Sequence, residues 1–204
     1  IDLKVLEYCQ KSYKETGWPV QIQCATAKKP SKAFINAALK APDMLRVLCH
    51  FQSLNKETLK YIKRIGPSET ELENIHENFA ESKSVNLSET ALIIPMPHET
   101  YETYHAALKK IIDVYQIEHC AVQTLSTFWG ISFESRSVNE EFGMKNKYRF
   151  EHGSFGEFKN FSAYEIDRVC VETNTFSENE YYKARLFYYK STFVSSFRTI
   201  QTNV

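Results

Sequence analysis

Residues 44–55 read MLRVLCHFQSLN, an apolar run that gives way to polar residues. Met44 to His50 is almost continuously apolar, which is typical of a strand covered on both faces in a parallel sheet. Asn55 follows at a position where its side chain can accept hydrogen bonds from the first amides of a helix. The stretch therefore predicts a strand, a turn and a helix, which is the repeating unit of an α/β fold.

Strand and helix patterns alternate along the first 130 residues. Strands are predicted where apolar residues alternate or run together, and helices where they recur every three to four positions. This alternation is typical of a parallel sheet with crossover helices and predicts the α/β class. The predicted strands are 20–26, 44–50, 90–96 and 118–125, and the predicted helices are 1–15, 31–40, 55–63, one that begins at Ser68, and 97–114.

The pattern changes after Trp129. Residues 138–149 are polar and charged, and Gly153 and Gly156 predict a loop. A strand is predicted at 166–172, and Ser177 with Glu180 has the spacing of a capping box before a helix over 178–197. We therefore expect two domains, an α/β domain at 1–130 and an α/β appendage at 131–204.

The composition limits the class of partner. The 204-residue chain has 25 Lys plus Arg and 25 Asp plus Glu, so its formal net charge is zero. No basic excess favours a nucleic acid or an anionic membrane, and the apolar runs are too short to span a bilayer. No signal peptide is visible, which favours the cytoplasm. The first residues already read as the inside of a helix, so we expect a piece of a longer chain.

The cysteines and glycines exclude several common sites. Five widely spaced cysteines indicate reduced thiols, and their spacing fits neither a zinc site nor an iron–sulfur cluster. The six glycines form no dinucleotide fingerprint, no phosphate-binding loop and no hydrolase elbow. No metal site is predicted.

Polar residues follow each predicted strand of the sheet. In a parallel sheet the carboxyl ends of the strands lie at one rim, where ligands bind. Each such residue alone is more often a turn or capping residue, whereas four strand ends together predict a pocket for a polar cofactor. The residues in question are Thr26, Gln52, Ser53, His98, Glu99, Gln123 and Thr124.

Three of the polar and aromatic features have alternative interpretations. His98 is expected to be a solvated helix-start residue rather than a metal ligand. Glu99 is expected to cap the N-terminus of the helix, whose dipole attracts a carboxylate, rather than to act in catalysis. The tyrosines of the last helix could stack on bases, but with no basic excess we predict that they pack against the sheet or its helices; they are Tyr181, Tyr182, Tyr188 and Tyr189.

The strand-end segments resemble the radical S-adenosylmethionine superfamily. Residues 51–55, FQSLN, with Leu59 and Ile62-Lys63-Arg64, resemble its fourth-strand region, which often reads QSLDPEVLKNIKR. Residues 92–100, LIIPMPHET, are similar to its fifth-strand LILGLPGET signature. The branch with an N-terminal cobalamin-binding domain is the most similar, through Gly17-Trp18-Pro19 and, in the tail, residues 143–145, 154–157 and 173–175.

This resemblance implies a partial TIM-like parallel β/α barrel, with residues 1–130 supplying strands three to six. The parent would be an iron–sulfur oxidoreductase that uses a 4Fe-4S cluster to cleave S-adenosylmethionine into methionine and a 5′-deoxyadenosyl radical, with cobalamin as a further cofactor of this branch. The cluster motif Cys-x-x-x-Cys-x-x-Cys would lie in the upstream part of the same chain, so the fragment alone is expected to be inactive. The resemblance does not name the small-molecule substrate.

The resemblance also implies a set of cofactor-binding residues. Gln52 and Ser53 would face the ribose or methionine end of the cofactor, and Ile94 and Pro95 would line the adenine. Gln123 and Ser126 would complete the floor, and Thr26 would end the strand before them. The set is Thr26, Gln52, Ser53, Ile94, Pro95, Gln123 and Ser126.

The fifth-strand segment departs from the family pattern. Pro95 and His98 stand where the family has glycines, and proline removes an amide donor. A second hypothesis is therefore a non-catalytic barrel relative that keeps a binding role. A third is an unrelated doubly wound sheet, although the chain lacks the Gly-rich phosphate turn of that fold.

Overall fold

The structure is a computed structural model that describes residues 3–25, 36, 44–64, 87–117 and 119–202. Thr26, the body of the helix predicted at 31–40, and the helix predicted from Ser68 lie outside these ranges. The described helices are α1 Leu3–Thr16, α2 Lys56–Tyr61, α3 Tyr101–Lys109, α4 Arg136–Glu141 and α5 Glu178–Thr202. The strands are β1 Ile22–Ala25, β2 Leu45–Leu48, β3 Leu87–Ile94, β4 His119–Thr124, β5 Lys145–Phe158 and β6 Phe161–Glu172.

The first four strands form one sheet in the order β1-β2-β3-β4. β1 pairs with β2 in parallel, with Cys24 beside Val47, and β2 pairs with β3 in parallel, with Val47 beside Leu87. The predicted α/β class with parallel pairing is confirmed. Among the described strands β1 and β4 are the edges of an open sheet.

The chain divides into two compact units. The first unit comprises Ile1–Leu92 and Ala106–Ala121, and the second comprises Ile93–His105 and Val122–Val204. The predicted domain boundary after residue 130 stays a prediction. No helix in the described part of the chain has both the length and the apolar character needed to cross a bilayer.

The first unit combines hydrogen-bonded helix ends with an apolar core. Asn55 caps α2, because its Oδ1 accepts from the amides of Glu57 at 2.9 Å and Thr58 at 3.4 Å, as the sequence predicts. α3 continues into a π-helical turn at Lys110–Val114, and Tyr115 N donates to Lys110 O at 3.0 Å. The largest buried apolar side chains of this unit include Leu45, Phe51, Leu92, Leu108 and Ile111.

The second unit contains an antiparallel hairpin of β5 and β6, which corrects the loop predicted at Gly153 and Gly156. The strands pair from Lys145 beside Glu172 to Phe158 beside Phe161. The register shifts between Phe150 and Phe155, and Gly153 has a φ of 77°. Glycine adopts that left-handed conformation without strain, so an irregularity forms within the strand rather than a loop.

Helix α5 begins at the predicted capping box. Ser177 N donates to Glu180 Oε2 at 2.7 Å, and Glu180 N donates to Ser177 Oγ at 3.4 Å. Tyr181 is buried and its hydroxyl lies 2.8 Å from Thr124 Oγ1, so its predicted packing is confirmed. Tyr182 and Tyr189 are exposed, which corrects the packing predicted for them. Neighbouring residues of a helix point in different directions, so Tyr182 is exposed although Tyr181 is buried.

Candidate functional site

The end of β2 carries Gln52 and Ser53 in the first unit. Gln52 has a φ of 64°, and its N–H donates to Ala91 O at 2.7 Å, which fixes the turn beside β3. The Gln52 side chain is half-buried. Ser53 is buried, and its Oγ accepts from Asn55 N at 2.9 Å. Ser53 thus performs the turn role that strand-end serines usually have, whereas the Gln52 side chain has a partly open position.

The side chain of Arg64 also lies at the end of β2, although Arg64 follows Asn55 by nine residues in the sequence. Helix α2 ends in a Schellman motif, in which Lys63 N donates to Lys60 O at 3.1 Å and Arg64 N to Leu59 O at 2.9 Å. Lys63 takes the left-handed position with a φ of 53°. The chain turns back there, and the Arg64 guanidinium donates through Nη2 to His50 O at 2.6 Å.

The guanidinium of Arg64 retains donors that could bind an anion. It is half-buried, and no carboxylate in the described part of the chain pairs with it. His50 Nδ1 is buried without a hydrogen-bond partner among the described residues. A basic residue just past a helix is common on surfaces, so the sequence alone does not point to Arg64 as a site residue. The Schellman turn brings it to the end of β2.

The end of β3 places Ile94 and Pro95 inside the second unit. Both are buried, the peptide between them is cis, and Ile94 O accepts from Leu125 N at 2.9 Å. Pro95 has no amide donor. The side chains of both residues are apolar, so any part that these side chains take in ligand binding is limited to apolar contact.

His98 and Glu99 begin the segment that leads into α3. His98 is exposed, has a φ of 64° and packs its ring against Phe142 with 5.3 Å between ring centroids. Glu99 is buried, and its Oε1 accepts from Thr103 Oγ1 at 2.5 Å. Thr100 caps the helix, since its Oγ1 accepts from Thr103 N at 3.2 Å. Glu99 therefore supports the helix start through a threonine hydroxyl.

The end of β4 carries Gln123 and Ser126. Gln123 is exposed. Ser126 is half-buried, forms a bridge with Val169 and donates through Oγ to Asp167 Oδ2 at 3.1 Å. The hydroxyl predicted to face a cofactor is thus engaged with a carboxylate of β6.

The predicted residues fall into two groups. Gln52 and Ser53 are adjacent in the first unit, while the second unit holds Ile94, Pro95, Gln123 and Ser126. In the second unit the bond from Leu125 N to Ile94 O brings the ends of β3 and β4 side by side. Thr26 lies outside the described residues.

The cysteines do not fit an iron–sulfur cluster. None of the five forms a disulfide bond, and no three His, Cys, Asp or Glu side chains among the described residues are grouped as a metal site would require. Burial raises the pKa of Cys120 to about 12 and that of Cys170 to about 11, and it also raises the pKa of Cys24. A cluster needs several thiolates close together, and the described residues bring no such group together.

Comparison with known proteins assigns no family to the chain. No model of a protein family matches it, and no curated protein matches it.

Proposed function

We propose that the chain is the C-terminal part of the cofactor-binding domain of a radical S-adenosylmethionine oxidoreductase. In this proposal β1 to β4 are strands three to six of a partial β/α barrel. The chain binds the methionine end of S-adenosylmethionine, and a segment outside this sequence supplies the ligands of the 4Fe-4S cluster. The fragment alone has no catalytic activity.

The backbone at His98 is the observation that carries this proposal. His98 occupies the position of the second glycine of the LILGLPGET signature and has a φ of 64°. Residues other than glycine rarely adopt this region, so a backbone conformation that glycine favours occurs where the signature has a glycine. The parallel pairing of β1, β2 and β3 also supports the proposal, since the family places its cofactor at the ends of such strands.

Two side chains at the end of β2 have the chemistry needed to bind the methionine end of the cofactor. S-adenosylmethionine carries an α-carboxylate, and the Arg64 guanidinium has donors that no described carboxylate uses. A guanidinium binds a carboxylate through two parallel hydrogen bonds. Gln52 can add an amide donor and acceptor from its half-buried position.

Titration calorimetry with S-adenosylhomocysteine tests the proposal, because this stable product analogue retains the carboxylate. The wild-type chain should bind it, and Arg64→Gln should weaken binding by roughly 10- to 100-fold, the effect of losing a charge-assisted hydrogen bond worth about 1.5–3 kcal/mol. Arg149→Gln is the matched control, since Arg149 already pairs with Asp167 at 2.8 Å.

Two results would contradict the proposal. Equal binding by the wild type and Arg64→Gln would exclude the carboxylate role of Arg64. Stoichiometric iron with cluster absorbance after anaerobic reconstitution of the isolated chain would show that these cysteines do hold a cluster.

A non-catalytic barrel relative is the second candidate. It is favoured by Pro95, which is buried and has no N–H where the family has a glycine. A folded wild-type chain that binds no S-adenosylhomocysteine would favour this binding module over the enzyme fragment.

A further inference from the structure

The β5–β6 hairpin has two chemically different faces. Directly paired residues of an antiparallel ladder lie on the same face. The pairs Phe150 with Ile166 and Phe155 with Tyr164 therefore share a face, and Tyr148, paired with Arg168, lies on it too. The opposite face carries the pair of Arg149 and Asp167, whose Nη2 and Oδ2 atoms are 2.8 Å apart.

The first of these faces exposes large apolar side chains to solvent. They are between 60 % and 73 % exposed, and the rings of Phe150 and Tyr164 meet edge to face with 6.0 Å between centroids. We name this set the aromatic face; its members are Tyr148, Phe150, Phe155, Tyr164 and Ile166.

The distal part of the hairpin lacks the support that a ribbon of this length usually has. Phe161 to Ile166 are all exposed, as are residues 157–160. Two-stranded hairpins are marginally stable in water unless a further strand or a helix packs against them. The exposed apolar side chains of this part of the hairpin are therefore suited to being covered by another molecule.

We infer that the aromatic face is the interface of a homodimer of this chain. A buried aromatic side chain covers roughly 150–250 Å², so the four aromatic side chains, exposed to this extent, provide on the order of 600 Å² per copy together with Ile166. A stable interface buries about 800 Å² per partner, and the neighbouring hairpin backbone can supply the remainder. Because a two-fold axis brings the same surface of each copy together, one self-complementary patch is sufficient.

The charges of the hairpin favour a second copy over a nucleic acid. The chain has no net charge, so two copies do not repel each other. Lys145 and Lys147 both pair with Glu178, and Arg149 pairs with Asp167. Cations that are neutralised in this way are poorly suited to binding phosphates, although exposed aromatic rings could otherwise stack on bases.

Light scattering coupled to size exclusion tests the dimer over a range of protein concentrations. The wild type should approach twice the chain mass of 23.8 kDa. Phe150→Ser combined with Tyr164→Ser should raise the dimer dissociation constant by at least about 100-fold, because central aromatic residues dominate interface energies. Far-UV circular dichroism checks that this variant is folded.

The matched control substitutes two aromatic residues of the opposite face. Phe158 and Phe161 are 57 % and 64 % exposed and stack on each other at 4.9 Å. Phe158→Ser combined with Phe161→Ser should leave the dimer intact. The inference is overturned if the wild type stays monomeric at high concentration, or if the control disrupts association as strongly as the test variant. A monomeric wild type that binds a 20-nucleotide oligouridine would instead identify the aromatic face as a base-stacking surface.

Discussion

The two ends of the β5–β6 hairpin are built from similar residues in opposite environments. Near its C-terminal end β6 buries Val169, Cys170 and Val171, whereas near its start it exposes Tyr164 and Ile166. Both ends carry apolar side chains, and those of the exposed end are the larger. Residue type therefore does not explain the difference in burial.

The difference follows from what lies beside each end. The segment after β4 extends along the base of the hairpin, where Cys170 N donates to Leu125 O at 2.8 Å and Thr127 N to Arg168 O at 2.7 Å. In the described part of the chain these backbone bonds to β6 go no further than Arg168. The buried part of β6 is thus the part along which the segment after β4 pairs with it.

The largest expected effect comes from opening a cavity behind the buried end of the hairpin. Phe176 is 1 % exposed, and its ring lies 6.5 Å from those of Tyr101 and Tyr104. Phe176→Ala should lower the free energy of unfolding by about 3–5 kcal/mol. Phe155→Ala in the distal end should change it by less than about 0.5 kcal/mol in the monomer. Urea denaturation at low protein concentration measures both, and equal losses would abolish the distinction between the two ends.

A smaller effect is expected at the helix that follows the hairpin. Ser177→Ala removes the hydroxyl that accepts from Glu180 N, and it should destabilise the protein by about 1 kcal/mol. Glu180→Gln is the control, because glutamine can also complete a capping box. Thermal unfolding should rank the serine variant below the glutamine variant, and the reverse order would show that the charge of Glu180 matters more than the hydroxyl.

The smallest effect concerns the ion pairs that connect the base of the hairpin to α5. Hydrogen bonds from Lys145 and Lys147 lower the pKa of Glu178 to about 2. A carboxyl whose pKa is lowered by folding stabilises the folded state above its unfolded pKa of about 4.3. This contribution should therefore be lost as the pH falls from about 4.3 towards 2. Stability measured across that range should vary less steeply in Glu178→Gln than in the wild type, and identical slopes would contradict the expectation.

Local sequence patterns predicted much of the fold. The apolar run at Met44 to His50 contains β2, and the strand predicted at 118–125 contains β4. Asn55 and the pair of Ser177 and Glu180 marked two helix starts, because capping depends on residues within three positions of each other. Signals that act over such short distances can be read directly from a sequence.

The features that sequence did not reveal depend on residues that are distant or on backbone geometry. Gly153 reads as a loop residue until β6 is known to pair with the strand around it. Arg64 reaches the end of β2 only because Lys63 turns the chain at a φ of 53°. The bond from Ser126 to Asp167 likewise requires contact with a segment far along the chain.

The pairing of the strands also implies an order of events during folding. In the parallel sheet Val47 pairs with Leu87, whereas at the tip of the hairpin Phe158 pairs with Phe161. Closing a longer loop costs more entropy, and hairpins form within about 1–10 μs while non-local parallel pairing is slower. We therefore expect the hairpin to form while the sheet is still incomplete. Its aromatic side chains would then be available to a second chain early, so that association and folding overlap in time.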